Sequence, residues 1–347
     1  MAVLIAGGAG YIGSHACAEL LQAGRGIVVA DRAEHAPVIK RLREASGKDF
    51  PFYPLDSPDR QGLERIFGQH EIEAVMLFAG IRPAMDHQRS HLPIAETVIL
   101  CDVMRRHGVK RLVFSSSVAV YGKPKMNPVA ENAPLCAANR YGRTMLMIEE
   151  ILRDMCETDR KWSVALLRNF NPAGAHPGGW IGADLRGMPH HLMPRLMQAA
   201  AGGSEPLPVY GGDYPTRDGT CVRDYVHVTD LAKGHVKALD KVSADTGIDA
   251  YNLGTGDGHT VLEVIAAFEQ ASGASITWQI VERRPGDAPV ICADASKALR
   301  ELGWRAELGL DRMCGDAWRS LRGSLDLRQP EAGVPAGAAG GTGGASG

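Results

Sequence analysis

The chain opens on a short apolar run at 3–6 (VLIA), and that signature recurs through its first half. Further runs lie at 27–31 (IVVAD), 50–56 (FPFYPLD), 74–80 (AVMLFAG), 111–117 (RLVFSSS) and 163–170 (SVALLRNF). Segments of helical spacing fall between them, such as 15–24 (HACAELLQAG) and 144–155 (TMLMIEEILRDM). Short, almost continuously apolar strands separated by amphipathic helices predict an α/β fold with a parallel sheet covered on both faces. Right-handed crossovers then make that sheet doubly wound.

The rhythm changes after about residue 171, where Gly, Pro and His become frequent, as in NPAGAHPGGWIG and YGGDYPTRDGT. Runs at 225–228 and 250–254 predict strands, and 261–271 and 294–303 predict helices, the latter started by an Asp or Ser cap. The expected division is a nucleotide-binding domain over 1–170 and a smaller α/β substrate domain over 171–328, with some segments returning to the first part. The remainder, 329–347, is rich in Gly and Ala and has too few bulky side chains to offset its ordering entropy.

Composition narrows the class. Apolar residues make up 45% and charged residues 22% of the 347, and the formal net charge is −2. That balance gives no electrostatic reason to expect a nucleic-acid or membrane-surface partner. Seven cysteines stand without a CxxC pair, which fits reduced thiols in the cytoplasm better than a disulfide framework. No apolar run approaches the ~20 residues of a membrane helix. The adjacent His190 and His191 have no identifiable third ligand, so no metal site is expected.

The strongest local chemistry is IAGGAGYIG at 5–13, which places Gly7, Gly10 and Gly13 between the first strand and first helix, with Tyr11 and Ile12 inside the turn. Such a loop either forms a plain turn or lets a pyrophosphate approach the backbone at a helix N-terminus. Asp31, closing the second run, has the offset of an acid that accepts hydrogen bonds from a ribose 2′-hydroxyl. It favours NAD over NADP, a preference that the following Arg32 weakens. Asp56 reads equally as a contact to an adenine edge or as a helix cap. Phe78, Ala79 and Gly80 (FAG) end the fourth run, where a small residue lets a cofactor pass closely. Arg82 faces phosphate or ribose, or else solvent.

GGAGYIGSH, FAG, SSSVAVYG, YG at 141–142, NFNPAGAHPGG, DYPTRDGTCVRDYVHV, YNLGTGDGHT and RRPGDAP occur in this order. Together they resemble the extended short-chain dehydrogenase/reductase family, in particular its UDP-hexose 4-epimerase branch, over about 1–325. The resemblance implies a Rossmann domain holding NAD, a C-terminal UDP-sugar domain and a homodimer. It implies that Tyr141 is the base for the sugar 4-hydroxyl and that Ser117 bonds the 4-oxygen. It implies transient oxidation at C4, through a 4-keto sugar that returns with either configuration. Asn171, His191, Tyr210, Arg223, Arg284 and Asp287 match or occupy positions that hold the nucleotide. From the residues themselves, Tyr141 reads also as a helix-surface tyrosine, Ser117 as a turn cap, and Arg223 as a partner of Asp224. Sibling dehydratases and decarboxylases need acidic side chains just after the strand-end serine, and Val118 and Ala119 supply none.

The family pattern is Tyr-x-x-x-Lys, and this chain has Met145 at the lysine position. Residues four apart share a helical face, so that lysine would reach the tyrosine and the nicotinamide ribose. A unit charge at about 4 Å and effective dielectric about 20 is worth about 4 kcal/mol. That would bring a phenol from about 10 to about 7. Without it, turnover is expected to fall by about two to four orders of magnitude, the usual size of general acid–base catalysis. Asn169, where a tyrosine is usual, and shortened segments after Asp31 and at 87–98 are further departures. These leave three readings open: a working epimerase, a non-catalytic UDP-sugar or NAD binding protein, and a net redox enzyme.

Overall fold

The computed structural model describes residues 1–55, 59–78, 92–183, 191–203 and 205–326. Its strands are β1 (Ala2–Ala6), β2 (Ile27–Asp31), β3 (Phe52–Pro54), β4 (Ile72–Leu77), β5 (Arg111–Ser117), β6 (Ser163–Asn169), β7 (Asn171–Ala173), β8 (Leu207–Tyr210), β9 (Val222–His227), β10 (Gly247–Leu253), β11 (Gly258–Thr260), β12 (Trp278–Val281) and β13 (Val290–Ile291). Its α-helices are α1 (Tyr11–Gln22), α2 (Ala36–Ser46), α3 (Arg60–Gln69), α4 (Leu92–Arg106), α5 (Arg140–Thr158), α6 (Leu192–Ala200), α7 (Val228–Ala244), α8 (Val261–Ser272), α9 (Ser296–Leu302) and α10 (Leu310–Asp326).

Seven strands form one sheet in the order β10-β6-β5-β4-β1-β2-β3, and every pairing is parallel. Its strands are apolar on both sides because both faces are covered. One face buries Val3, Ile5, Val29, Met76 and Val113 under α1, α2 and α7. The other buries Leu4, Val28, Val75, Leu112 and Phe114 under α3, α4 and α5. The doubly wound α/β expectation therefore holds. The chain runs outward from β1 in both directions, so the order reverses between β1 and β4. In such sheets, ligands bind outside the carboxyl ends of the strands at this switch point.

Beyond β6 the chain builds smaller sheets, with β9 carrying β7, β11 and β13, and β8 pairing with β12. A third core of Leu196, Val209, Tyr225, Phe268, Met313 and Ala317 joins α6, α8 and α10 to these strands. β10 leaves them and lies along β6 at the edge of the large sheet.

Local readings needed two corrections. β3 spans three residues rather than the expected run over 50–56, because Pro54 has no N–H to extend an edge ladder. α9 has Ala295 at its N-cap with no side-chain cap, while Asp294 Oδ1 accepts from the Ser296 amide at 2.9 Å. Asp56, Ala79, Gly80, Arg82, His190 and the tail over 329–347 lie outside the described residues.

A buried polar network seats α5 on the large sheet. Glu149 accepts from Ser116 Oγ at 2.6 Å, from Arg168 Nε and Nη2 at 3.1 and 2.8 Å, and from Arg153 Nη2 at 2.7 Å. Arg168 Nη1 continues to Tyr121 Oη at 2.8 Å, and Tyr121 Oη donates to Asn252 Oδ1 at 2.7 Å. The network therefore spans β5, α5, β6, the 3-10 turn Val118–Tyr121 and β10. Burial raises the Glu149 carboxyl, but Arg168, Ser116 and Arg153 outweigh it, so the group sits below its ordinary range. Truncating Glu149 would strand a buried guanidinium. Glu149→Ala is expected to cost about 3–5 kcal/mol in urea unfolding, and a loss below about 1 kcal/mol, the range of an exposed pair, would contradict this account.

Candidate active site

At the switch point, Gly7 has φ +81°, and a Cβ there would stand 2.3 Å from the Phe78 carbonyl oxygen. A Cβ on Gly13 would meet the Gly7 carbonyl oxygen at 2.3 Å. The fold itself therefore excludes side chains at both positions. Gly10 differs, since its Cβ would meet only the Gly7 oxygen, at 3.3 Å. The absence of a side chain there leaves open a cradle in front of α1. Gly10 caps α1 with no side-chain hydrogen bond, and the first turn carries no acid, so no side chain of its own competes for its first amides.

Asp31 closes β2 beside this cradle. Its Oδ2 accepts from the Ala9 amide at 2.8 Å, and its Oδ1 accepts from the Arg32 amide at 2.7 Å and faces His35 Nδ1 at 2.8 Å. Oδ2 thus keeps acceptor capacity for a ribose hydroxyl. Arg32 is drawn aside, pairing with Glu34 at 2.5 Å and meeting His35 Nε2 at 3.1 Å. Its effect on the choice between NAD and NADP is correspondingly reduced. Ile12 packs on the core, and Phe78 forms a wall with its ring 4.9 Å from that of His235. Tyr11 turns away from the cradle. Its Oη donates to the Gly174 carbonyl at 2.6 Å, tying the glycine loop to the segment after β7, and burial pushes its phenol far up. The residues present fit a dinucleotide with a free 2′-hydroxyl.

Ser117 and Tyr141 meet two strands away. Ser117 ends β5 and its Oγ accepts from the Ala119 amide at 3.2 Å, so it does cap a turn. Asn139 caps α5, its Oδ1 accepting from the Gly142 amide at 2.7 Å. A Cβ on Gly142 would stand 2.4 Å from the Ala119 carbonyl oxygen, so the glycine lets the first turn of α5 press onto the 3-10 turn. That contact brings the Tyr141 phenol to the Ser117 side chain. Burial pushes the phenol up to about 12, against the smaller downward pull of Ser117, and no cation among the described residues opposes the burial. Met145 explains why. It lies one turn further along α5, 1% exposed and packed in the core. Asn169 is in register with Ser117 on the neighbouring strand, donating to Ser115 Oγ at 2.8 Å and the Ser116 carbonyl at 3.0 Å.

A second group gathers around β8 and β9. Arg223 Nη2 pairs with Asp287 at 3.5 Å, and Nη1 donates to the Val222 and Ala288 carbonyls. The Arg223–Asp224 pair does not form, because neighbours on a strand point to opposite faces. Asp224 instead accepts from the Thr255, Gly256 and Ala293 amides. Arg284 lies over the Tyr210 ring, its Cζ 3.8 Å from the centroid. Asn171 is in register with Tyr225, and the exposed His191 is the N-cap of α6. Arg195, one turn after His191, reaches the Tyr210 phenol, and the sequence reading missed it. An i,i+4 spacing from His191 was the available signal. Among the described residues, no group of His, Cys, Asp and Glu is arranged to hold a metal, and no helix is long and apolar enough to cross a membrane.

The model of the NAD dependent epimerase/dehydratase family matches residues 3–254. A UDP-glucose 4-epimerase of Bacillus subtilis is 53% identical over 326 residues, 92% of this chain and 96% of that protein. The bovine (Bos taurus) UDP-glucose 4-epimerase is 46% identical over 91% of this chain and 95% of its own. The crystal structure of UDP-glucose 4-epimerase from Bifidobacterium longum in complex with NAD+ and UDP superposes with a TM-score of 0.89 at 42% identity, covering 94% of this chain and 99% of that one. The Stenotrophomonas maltophila enzyme, with bound NAD and formylated UDP-arabinopyranose, gives 0.91 at 44% identity over the same shares. The glycine cradle, the Ser117–Tyr141 pair and these likenesses agree, and the chain belongs to the NAD dependent epimerase/dehydratase family.

Proposed function

We propose that the protein interconverts UDP-glucose and UDP-galactose with NAD as its cofactor. The observation that carries this reading is the Tyr141 phenol seated on Ser117 at the carboxyl end of the sheet, two strands from the Gly10 cradle. Gly10, the α1 amides and Asp31 would hold the dinucleotide. Bound NAD supplies the two-electron acceptor, and then donor, for sugar C4. Ser117 holds the 4-oxygen while Tyr141 Oη takes the 4-hydroxyl proton and later returns it. Tyr210, Arg223, Arg284 and Asp287, with Asn171 and His191, grip the UDP end. A firm hold there leaves the hexose free to present either face.

Two attributes accompany this reading. A homodimer is supported by Val98 and Met147, which stand 47% and 49% exposed on the adjacent helices α4 and α5. Charged substitutions there are compatible with the fold and would separate a dimer. A cytoplasmic setting suits the seven unpaired cysteines, six of them buried.

The limiting feature is the phenol. A base near 12 without a neighbouring cation is scarcely ionised at neutral pH. Met145→Lys would place an ammonium one turn from Tyr141, and Glu149, already saturated by Ser116, Arg168 and Arg153, offers it no competing partner. UDP-galactose turnover at saturating NAD is expected to rise by about two to four orders of magnitude in this variant. The parent rate should climb about tenfold per pH unit from 7 toward 10, since the active form has lost one proton, whereas the variant levels off sooner. Equal rates and equal profiles would sink this account of Met145. For the cofactor, Gly10→Ala should retain the parent melting temperature yet bind NAD about tenfold or more weakly, as a methyl fills the cradle. Gly13→Ala should lower the melting temperature as well. Undiminished NAD affinity in Gly10→Ala would place the dinucleotide elsewhere.

A further inference from the structure

We propose that His35 is a positioning residue for cofactor choice: by bridging Asp31 and Arg32 it keeps the site selective for NAD over a dinucleotide with a 2′-phosphate. The proposal rests on the NAD reading above and adds a residue to it. The local fold brings the three side chains together. Asp31 ends β2, and the chain then makes a 3-10 turn over Ala33–His35, with the His35 amide donating to the Arg32 carbonyl at 3.0 Å. Three residues complete one turn of such a helix, so the side chains of Arg32 and His35 stand over one another. α2 starts directly after the turn and buries Ile39 and Leu42 in the core. The turn is therefore fixed at both ends, by β2 and by α2. His35 Nδ1 lies 2.8 Å from Asp31 Oδ1, and its Nε2 lies 3.1 Å from Arg32 Nη2.

These contacts fix the tautomer. A guanidinium nitrogen can only donate, so His35 Nε2 accepts from Arg32. The ring proton is then on Nδ1 and is donated to Asp31 Oδ1. One imidazole thereby sets two side chains. It holds the Asp31 carboxylate with Oδ2 on the Ala9 amide, at the glycine loop, where a ribose hydroxyl can donate to it. It also holds Nη2 of Arg32, while Glu34 takes Nη1. With both terminal nitrogens engaged, Arg32 presents no fork to a phosphate. A 2′-phosphate entering here meets the Asp31 carboxylate with the adjacent guanidinium already occupied, and that repulsion selects against it. The Glu34 side chain is 63% exposed and touches only Arg32 of the pair, whereas His35 is 25% exposed and grips both. The imidazole, rather than the exposed acid, couples the two.

The test measures NAD and NADP binding separately, by calorimetry on the full-length protein, for parent, His35→Ala, His35→Gln and the double variant His35→Ala with Arg32→Ala. His35→Ala is expected to shrink the preference for NAD by about tenfold, because Arg32 is released toward the 2′-phosphate while Asp31 loses the partner that orients it. Removing Arg32 as well should cancel the gain in NADP affinity. His35→Gln should keep most of the parent preference, since a carboxamide both donates and accepts. An unchanged ratio in His35→Ala, whether both affinities fall together or neither moves, would mean that His35 only supports the turn. That result overturns the proposal, as does a gain in NADP affinity that survives the loss of Arg32, or a parent with no preference for NAD. Should His35→Ala fail to fold, His35→Phe, which keeps a ring without its nitrogens, takes its place with the same expected and contrary results. Failure of the parent to bind either dinucleotide would refute the cofactor reading instead.

Discussion

The active geometry depends on how α5 sits against β5. Tyr141, Met145 and Glu149 follow one another at four-residue spacing and so line one face of that helix. Each fixes a different property. Glu149, locked by Arg168 and Ser116, anchors the helix to the strands. Met145 packs in the apolar core between them. Tyr141 projects at the open end onto Ser117. The same seating that aligns the phenol also buries it, and burial opposes ionisation. In this chain no charge on the helix face relieves that conflict.

The charges present nearby serve the fold. Arg168 bonds both oxygens of Glu149, the Tyr121 phenol and the Glu131 carbonyl, leaving no fork for a ligand. The apolar methionine is consequently comfortable in its setting: it buries its whole side chain and leaves no polar atom unpaired. Stability at position 145 and ionisation of Tyr141 make opposite demands. Catalysis would require a charge to be buried there, at a desolvation cost that only the phenolate or an anionic ligand repays.

Much of the fold was legible because its signal is local. Apolar runs bounded by turn residues located six strands of the large sheet, and continuous rather than alternating hydrophobicity showed that both faces are covered. The glycine spacing was legible as a loop, but three equal letters concealed unequal roles. Packing against Phe78 and Gly7 demands two of them, while Gly10 alone leaves space. The offset of Asp31 was legible too, although its neighbours His35 and Glu34, which occupy one oxygen and divert Arg32, were not.

What sequence could not give was pairing over long separations. Arg168 and Glu149 lie 19 residues apart, and Tyr121 and Asn252 lie 131 apart. Nothing in their local spacing links them. Arg223 beside Asp224 invited an ion pair, yet strand alternation sends the two side chains apart and gives Arg223 to Asp287. The central claim concerns the ionisation of one phenol, and it is tested most directly by titrating Tyr141 in the NAD-loaded protein, using ring-labelled tyrosine and NMR, in parent and Met145→Lys. The account predicts a parent phenol that stays protonated through pH 9 and a variant phenol that ionises close to neutrality. A parent Tyr141 already ionised near pH 7 would contradict it, and would mean that another cation does the work of the missing lysine.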